Sequence, residues 1–93
     1  MSCKILFTSS YNKRATRFIK KHPELQKQYI KTLKILEQNP YHPSLRLHQL
    51  KGKLKALHYV SINMTYRISI EFMIYEDTVV LVHVGTHDEL YKN

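Results

Sequence analysis

Histidine, lysine, arginine and tyrosine side chains supply most of the reactive groups in this sequence of 93 residues. His48 lies in the segment His-Gln-Leu-Lys-Gly-Lys, and His87 lies in Gly-Thr-His-Asp-Glu-Leu-Tyr near the C-terminus. This inventory suits cleavage of an RNA phosphodiester by the neighbouring 2′-hydroxyl, because that step needs a base, an acid and cations that stabilise the developing charge. The composition permits this chemistry without requiring it.

The six histidines also raise the question of a metal site. Cys3 is the only cysteine, so the sequence has no Cys-x-x-Cys pair of the kind that zinc sites use. It also lacks a glycine-rich phosphate loop and a Gly-x-Ser-x-Gly nucleophile elbow. We therefore expect no metal and no other cofactor.

The charge is large and unevenly distributed. Fifteen Lys and Arg residues against seven Asp and Glu residues give a formal net charge of +8. Residues 1–55 carry a net charge of +11, residues 56–93 carry −3, and no carboxylate lies between Glu37 and Glu71. Such a balance indicates a polyanionic partner, either a nucleic acid or an acidic protein. The alternative is a solvated basic surface that keeps the protein soluble.

Length and hydropathy restrict the class of protein. The chain allows one domain, residues 1–93. Apolar runs such as Val79–Val82 are far too short to cross a bilayer, and the first residues lack the apolar stretch of a secretory signal. A single cysteine excludes an internal disulfide and fits a reducing compartment. We expect a cytoplasmic protein with no membrane partner.

The first half of the sequence predicts a short strand and two helices. Residues 5–7 are apolar and β-prone, Ser9 and Ser10 offer a helix N-cap, and apolar residues then recur at 11, 15, 18 and 19. Residues 22–24 break this helix, and a second apolar stripe runs to Leu36 before Asn39 and Pro40 end it. Two helices joined by a tight break form an αα-hairpin.

The second half predicts three strands after an irregular connector over residues 40–53. The strands cover residues 54–62, 66–72 and 78–84, and the short turns between them imply an antiparallel meander. The predicted fold is α+β, in the order β-α-α-β-β-β, with the helical hairpin packed on one face of a small twisted antiparallel sheet. Arg67 alternates with apolar neighbours and is expected on the opposite face.

Taken in order, several segments resemble the RelE/ParE superfamily of bacterial type II toxin–antitoxin toxins, closest to its YafQ/RelE-like mRNA interferases. The resemblance covers nearly the whole chain and is strongest at its C-terminal end. The matching segments are Phe18-x-Lys20-Lys21-His22-Pro23, Asn39-Pro40, residues 48–52, Tyr66-Arg67-Ile68 and residues 84–91. It implies a metal-independent endoribonuclease that cleaves mRNA, commonly on the ribosome, and that is neutralised by a cognate acidic antitoxin.

The resemblance also implies site residues. The family's catalytic histidines fall on His48 and His87, its strand arginine on Arg67 and its closing aromatic residue on Tyr91. Two positions depart from the YafQ pattern, because its second-strand histidine is replaced here by Ser61 and the aspartate just beyond it by Thr65. This departure favours a mixed arrangement, with His48 and His87 transferring protons and Arg67 binding phosphate together with Lys51 or Lys53.

Further cations near this set are candidates for RNA binding, namely Arg46, Lys51, Lys53 and Lys55. The expected partners are the antitoxin, mRNA and ribosomal RNA. The alternative is a ParE-like toxin that inhibits DNA gyrase by binding it, which would have no need of the proton-transfer residues His48, His87 and Tyr91.

Overall fold

The computed structural model describes residues 3–52, 56–73 and 77–91. Its elements are β1 (Lys4–Leu6), α1 (Ser9–Lys21), α2 (Gln26–Gln38), β2 (His48–Gln49), β3 (His58–Ser61), β4 (Tyr66–Met73), β5 (Thr78–Thr86) and α3 (His87–Tyr91). Single 3-10 turns at Pro23–Leu25 and Pro43–Leu45 precede α2 and β2. Across these described ranges, no helix has both the length and the apolar character needed to cross a membrane.

The N-cap of helix α1 lies one residue before the predicted cap at Ser9. The hydroxyl of Thr8 accepts a hydrogen bond from the backbone N–H of Tyr11 at 3.1 Å, so Thr8 is the N-cap and Ser9 and Ser10 are the first helical residues. Helix α2 ends at Gln38, as the Asn39–Pro40 pair predicts.

A hydrogen bond between two buried tyrosines joins the helices of the hairpin. The hydroxyls of Tyr11 on α1 and Tyr29 on α2 lie 2.6 Å apart, and Tyr11 is fully buried. Burial raises the pKa of both tyrosines, so both hydroxyls stay protonated at neutral pH. One hydroxyl therefore donates to the other, which gives each a hydrogen-bond partner in the buried core.

The sheet has the strand order β1-β5-β4-β3-β2. The α+β fold class and the antiparallel β3–β4–β5 meander are confirmed, with three differences in detail. Strand β1 pairs with β5 in parallel, so the sheet is mixed rather than wholly antiparallel. Strand β2 forms in the connector, and α3 follows β5. Consecutive strands joined by short turns must run antiparallel. Strand β1 is instead connected to the meander through both helices, so its direction is not restricted in this way.

The two faces of the sheet differ because strand residues alternate in direction. Ile68 and Ile70 of β4 are fully buried against the helices, and Arg67 between Tyr66 and Ile68 points to the opposite face. The side of the sheet that carries the helices holds the core, formed by Tyr11, Phe18, Tyr29, Leu36, Leu45, Val60, Ile62, Ile68, Ile70, Val79, Leu81 and Val84.

A β-bulge interrupts the β4–β5 ladder. Ser69 pairs with His83 and Ile70 pairs with Leu81, which leaves Val82 as an extra residue in β5. The guanidinium of Arg14 on α1 donates a hydrogen bond to the carbonyl oxygen of Val82 at 2.9 Å. The bulge therefore supplies an anchor point for α1.

We expect the Tyr11–Tyr29 pair to show strong energetic coupling. Tyr11→Phe or Tyr29→Phe alone leaves a buried hydroxyl without its partner, which should cost about 1–3 kcal/mol in the free energy of unfolding. The double Phe variant should lose clearly less than the sum, because neither hydroxyl remains. Urea unfolding of the four proteins measures the coupling, and strictly additive losses would contradict it.

Candidate active site

Four side chains converge around Tyr59 on the open face of the sheet, and we call the five residues Tyr59, His48, Arg67, His87 and Tyr91 the Tyr59 cluster. The ring centroid of Tyr59 lies 5.2 Å from that of His48 and 6.3 Å from that of His87. The Cζ atom of Arg67 lies 5.0 Å from the centre of the Tyr59 ring, and the rings of His87 and Tyr91 lie 4.6 Å apart. The four candidate catalytic residues are therefore neighbours in space, although His48 and Tyr91 lie 43 positions apart in the sequence.

Tyr59 was not among the predicted site residues. Val60 is fully buried in the core, so its neighbour Tyr59 must point to the opposite face, the one that carries Arg67. Cross-strand pairing places Tyr59 opposite His48 on β2 and opposite Ser69 on β4. The alternation of side-chain direction along β3 could have identified Tyr59. The two-residue strand β2, which brings His48 next to Tyr59, has no recognisable pattern in the sequence.

Arg67 is held by packing rather than by an ion pair. Its Nε is buried and makes no hydrogen bond to the residues that the structure describes, while the guanidinium lies over the Tyr59 ring. A cation over a tyrosine face is stabilised electrostatically by about 0.5–1 kcal/mol at an exposed site. No carboxylate within the described ranges competes for this guanidinium in an ion pair, so it can receive an external anion.

An open pocket of about 240 Å³ adjoins Arg67, His48 and Tyr59. Arg46 and Ser61 also line it. Arg46 adopts a left-handed backbone conformation with φ of +51°, which is uncommon for a residue other than glycine. The pocket thus combines two arginines, a histidine and an aromatic ring, a set suited to a phosphate and a nucleobase.

Helix α3 positions the remaining two candidates. His87 is its first residue, and its side chain is 52% exposed, with Nδ1 3.7 Å from the carboxylate of the exposed Asp88. The hydroxyl of Tyr91 accepts a hydrogen bond from the backbone N–H of Lys51 at 3.2 Å. This bond ties the end of α3 to the segment that follows β2, and hence to His48.

A capping box starts α3. The backbone N–H of Thr86 donates to the Glu89 carboxylate at 2.8 Å, and the Glu89 N–H donates to the Thr86 hydroxyl at 3.2 Å. Gly85 leaves room for this approach, because a Cβ there would lie 2.8 Å from Oε1 of Glu89 and would displace the carboxylate. The Gly-Thr-His-Asp-Glu segment therefore contains both His87 and the capping box that orients it.

The other sequence candidates lie as follows. Arg46 and Lys51 border the cluster, whereas Lys53 and Lys55 lie outside the described residues. Thr65 lies in the exposed β3–β4 turn, where its N–H donates to the side chain of Asn63.

His58 points to the core face of the sheet and packs on Phe72, away from the cluster. Burial lowers its pKa, which keeps the ring neutral. In the part of the chain that the structure describes, no three His, Cys, Asp or Glu side chains are grouped to hold a metal ion.

Three solved structures illustrate what the fold resembles. YafQ from E. coli strain BL21(DE3) aligns with a TM-score of 0.69 at 18% identity, covering 96% of this chain and 98% of that one. The toxin–antitoxin complex RelBE2 from Mycobacterium tuberculosis gives a TM-score of 0.74 at 16% identity, with coverages of 94% and 100%. A metal-bound toxin from Helicobacter pylori gives 0.67 at 26% identity, with coverages of 97% and 99%.

These alignments span nearly the full length of both partners in each case. The chain has the fold of the RelE/YafQ-like toxin superfamily, so the resemblance found in the sequence is confirmed at the level of the fold. No protein-family model matches the sequence, and no curated protein matches it significantly.

We expect the Tyr59 ring, rather than its hydroxyl, to keep Arg67 in place. Tyr59→Leu removes the cation–π contact and should weaken phosphate binding by Arg67 between about threefold and thirtyfold, whereas Tyr59→Phe should stay near the wild-type value. Titration of each protein with an uncleavable RNA dinucleotide measures the effect. A loss in Tyr59→Phe as large as that in Tyr59→Leu would contradict a role for the ring face.

Glu89 should make the stability of α3 depend on pH. The hydrogen bond from the Thr86 N–H is the main cause that lowers the pKa of Glu89, so the cap is intact above the ordinary range of a glutamate and is lost as the pH falls through the lowered pKa. The protection factors of the Leu90 and Tyr91 amides, which compare measured exchange with the intrinsic rate at the same pH, should fall in acid for the wild type. Glu89→Gln, which retains an acceptor, should remove this dependence, and Glu89→Ala should give low protection factors at every pH. The same acid response in Glu89→Gln would rule out Glu89 as the cause.

Proposed function

We propose that this chain is the toxin of a type II toxin–antitoxin system and that it cleaves mRNA as a metal-independent endoribonuclease. The observation that carries the proposal is the convergence of His48, Arg67, His87 and Tyr91 around Tyr59 on the open face of the sheet. A base, an acid and a fixed cation within one surface are what 2′-hydroxyl attack on a phosphodiester needs.

In the proposed reaction the 2′-oxygen forms a bond to phosphorus while the bond from phosphorus to the 5′-oxygen breaks. One histidine of the pair His48 and His87 takes the proton of the 2′-hydroxyl, and the other, in its protonated form, donates a proton to the leaving 5′-oxygen. Histidine suits both tasks because it changes charge near neutral pH. The products carry a 2′,3′-cyclic phosphate and a 5′-hydroxyl.

Arg67 stabilises the additional negative charge on the phosphorane. Its planar guanidinium can hold two phosphate oxygens at once, which a lysine ammonium cannot do in the same geometry. Tyr91, in contact with His87 and fixed by the Lys51 N–H, offers a ring on which a base of the substrate can stack.

The proposed partners follow from charge. A net charge of +8 favours binding to mRNA within the ribosome, whose RNA presents a dense array of phosphates. The same charge favours an acidic antitoxin that covers the site, and the RelBE2 neighbour is itself a toxin–antitoxin complex. A stable complex with the acidic partner that retained full cleavage would contradict this mode of neutralisation.

Substitutions test the assigned roles. His48→Ala and His87→Ala should each slow cleavage of ribosome-bound mRNA by about 100- to 10,000-fold in single-turnover measurements, the usual scale of general acid–base catalysis. Arg67→Ala should lose about 100- to 1,000-fold, and Arg67→Lys should recover little of it. His42→Asn is the matched control, because His42 lies in an exposed turn outside the cluster and asparagine retains a side-chain acceptor for the Ser44 N–H, which donates to the His42 ring.

All variants should retain the wild-type circular dichroism spectrum, since none of these side chains belongs to the core. Cleavage at the wild-type rate by folded His48→Ala and His87→Ala would refute the proton-transfer roles. If those variants also stopped growth with no RNA cleavage, inhibition of gyrase by binding would replace the ribonuclease. Mapping of the 5′-hydroxyl ends on mRNA after brief expression identifies the reaction directly.

A further inference from the structure

A second basic pocket, of about 340 Å³, lies between α1 and α3. Strand β1 pairs only with Thr78–Val80, so the later part of β5 forms the edge of the sheet, and α1 packs beside it through the bond from Arg14 to Val82. Tyr66 lines this pocket, whereas its neighbour Arg67 belongs to the Tyr59 cluster on the opposite face. The α1–α3 pocket is therefore separate from the candidate active site.

Three aromatic rings form the floor of the α1–α3 pocket. The ring centroids of Phe18 and His22 lie 5.0 Å apart, those of Phe18 and Tyr66 5.3 Å apart, and those of His22 and Tyr66 4.7 Å apart. Phe18 is buried, while His22 and Tyr66 are only half-buried and present ring surface to the pocket. Partly exposed ring faces are the surface on which nucleobases stack.

Three cations line one side of the same pocket. Arg14, Arg17 and Lys21 follow one another on α1 at spacings of three and four residues, which places them on one side of the helix. Arg14 is anchored at Val82, whereas Arg17 and Lys21 are exposed and form no ion pair within the described ranges.

One carboxylate, that of Glu89, also borders the pocket. Its oxygen is already engaged by the Thr86 N–H in the capping box of α3. The Glu24 carboxylate lies 3.7 Å from Nδ1 of His22, whose ring belongs to the floor. Three cations against these two carboxylates still leave an excess of positive charge, so the pocket favours an anionic ligand that carries a flat apolar group.

We propose that the α1–α3 pocket binds one nucleotide of an RNA strand, with its base on the His22 and Tyr66 rings and its phosphate on Arg17 and Lys21. This inference rests on the proposed function for the presence of RNA, but it places a contact away from the cleavage site. Arginine forks and aromatic faces together match a nucleotide better than an acidic peptide, which offers charge without an obligatory flat base.

The test uses a 2′-O-methyl RNA hexamer, which cannot be cleaved, titrated into the wild-type protein at low salt and followed by NMR. Side-chain resonances of Phe18 and His22 should shift, in addition to those of His48 and His87. Arg17→Glu combined with Lys21→Glu should weaken the binding seen at Phe18 about tenfold or more, because phosphate contacts are lost and replaced by repulsion. Lys27→Glu combined with Lys31→Glu on α2 is the control of equal charge, and it should change this affinity about twofold at most.

A second comparison tests the stacking. His22→Ala removes a ring but no hydrogen bond that caps a helix, so the fold should be retained. It should weaken binding of the hexamer at Phe18 about fivefold or more, and an abasic hexamer should bind equally poorly to both proteins.

The outcomes separate this inference from the proposed function. Shifts confined to His48 and His87 would overturn the nucleotide site and leave the ribonuclease intact, whereas shifts confined to Phe18 and His22 would keep the site and count against the cleavage assignment. Equal losses of affinity in the two double variants would show that binding depends on overall charge alone, and this result would overturn the inference. Tighter binding of a hexameric acidic peptide than of RNA would reassign the pocket to a protein partner.

Discussion

Strand β4 alternates between the core and the open face of the sheet, and this alternation decides where the functional side chains lie. Ile68 and Ile70 are fully buried against the helices, so Arg67 can only emerge on the other side. A slip of one residue in the pairing would bury the guanidinium and expose the isoleucines, at a large desolvation cost. The apolar core therefore fixes the register, and the register fixes the cation over the Tyr59 ring.

Aromatic rings and cations occur together on both sides of this framework. Arg67 lies over Tyr59 on the open face, and the α1 cations lie beside His22 and Tyr66 near the sheet edge. Among the residues that the structure describes, no carboxylate forms an ion pair with the arginines at either place. Uncompensated surface charge costs the folded state some self-repulsion, but it leaves the cations available to an external polyanion.

The sequence was informative where structure depends on neighbours in the chain. The αα-hairpin, its end at Asn39, and the β3–β4–β5 meander follow from apolar periodicity and short turns. The parallel pairing of β1, the two-residue strand β2 and the place of Tyr59 depend on contacts between distant segments, which periodicity does not report. Of the candidate site, the identities of His48, Arg67, His87 and Tyr91 came from motifs and resemblance, whereas their common centre came only from the fold.

The bulge at Val82 changes the parity of strand β5. Before it, the odd-numbered residues Val79 and Leu81 pack in the core, and after it the even-numbered Val84 does so. If the same residues of β5 alternated regularly without a bulge, Val84 would turn away from the core and Gly85 would face the helices. Deletion of Val82 would leave both flanking pairs, Ser69–His83 and Ile70–Leu81, in register, but it would remove the carbonyl oxygen to which Arg14 donates. The extra residue therefore serves the attachment of α1 to the sheet, while the position of His87 depends on the pairs on either side of it.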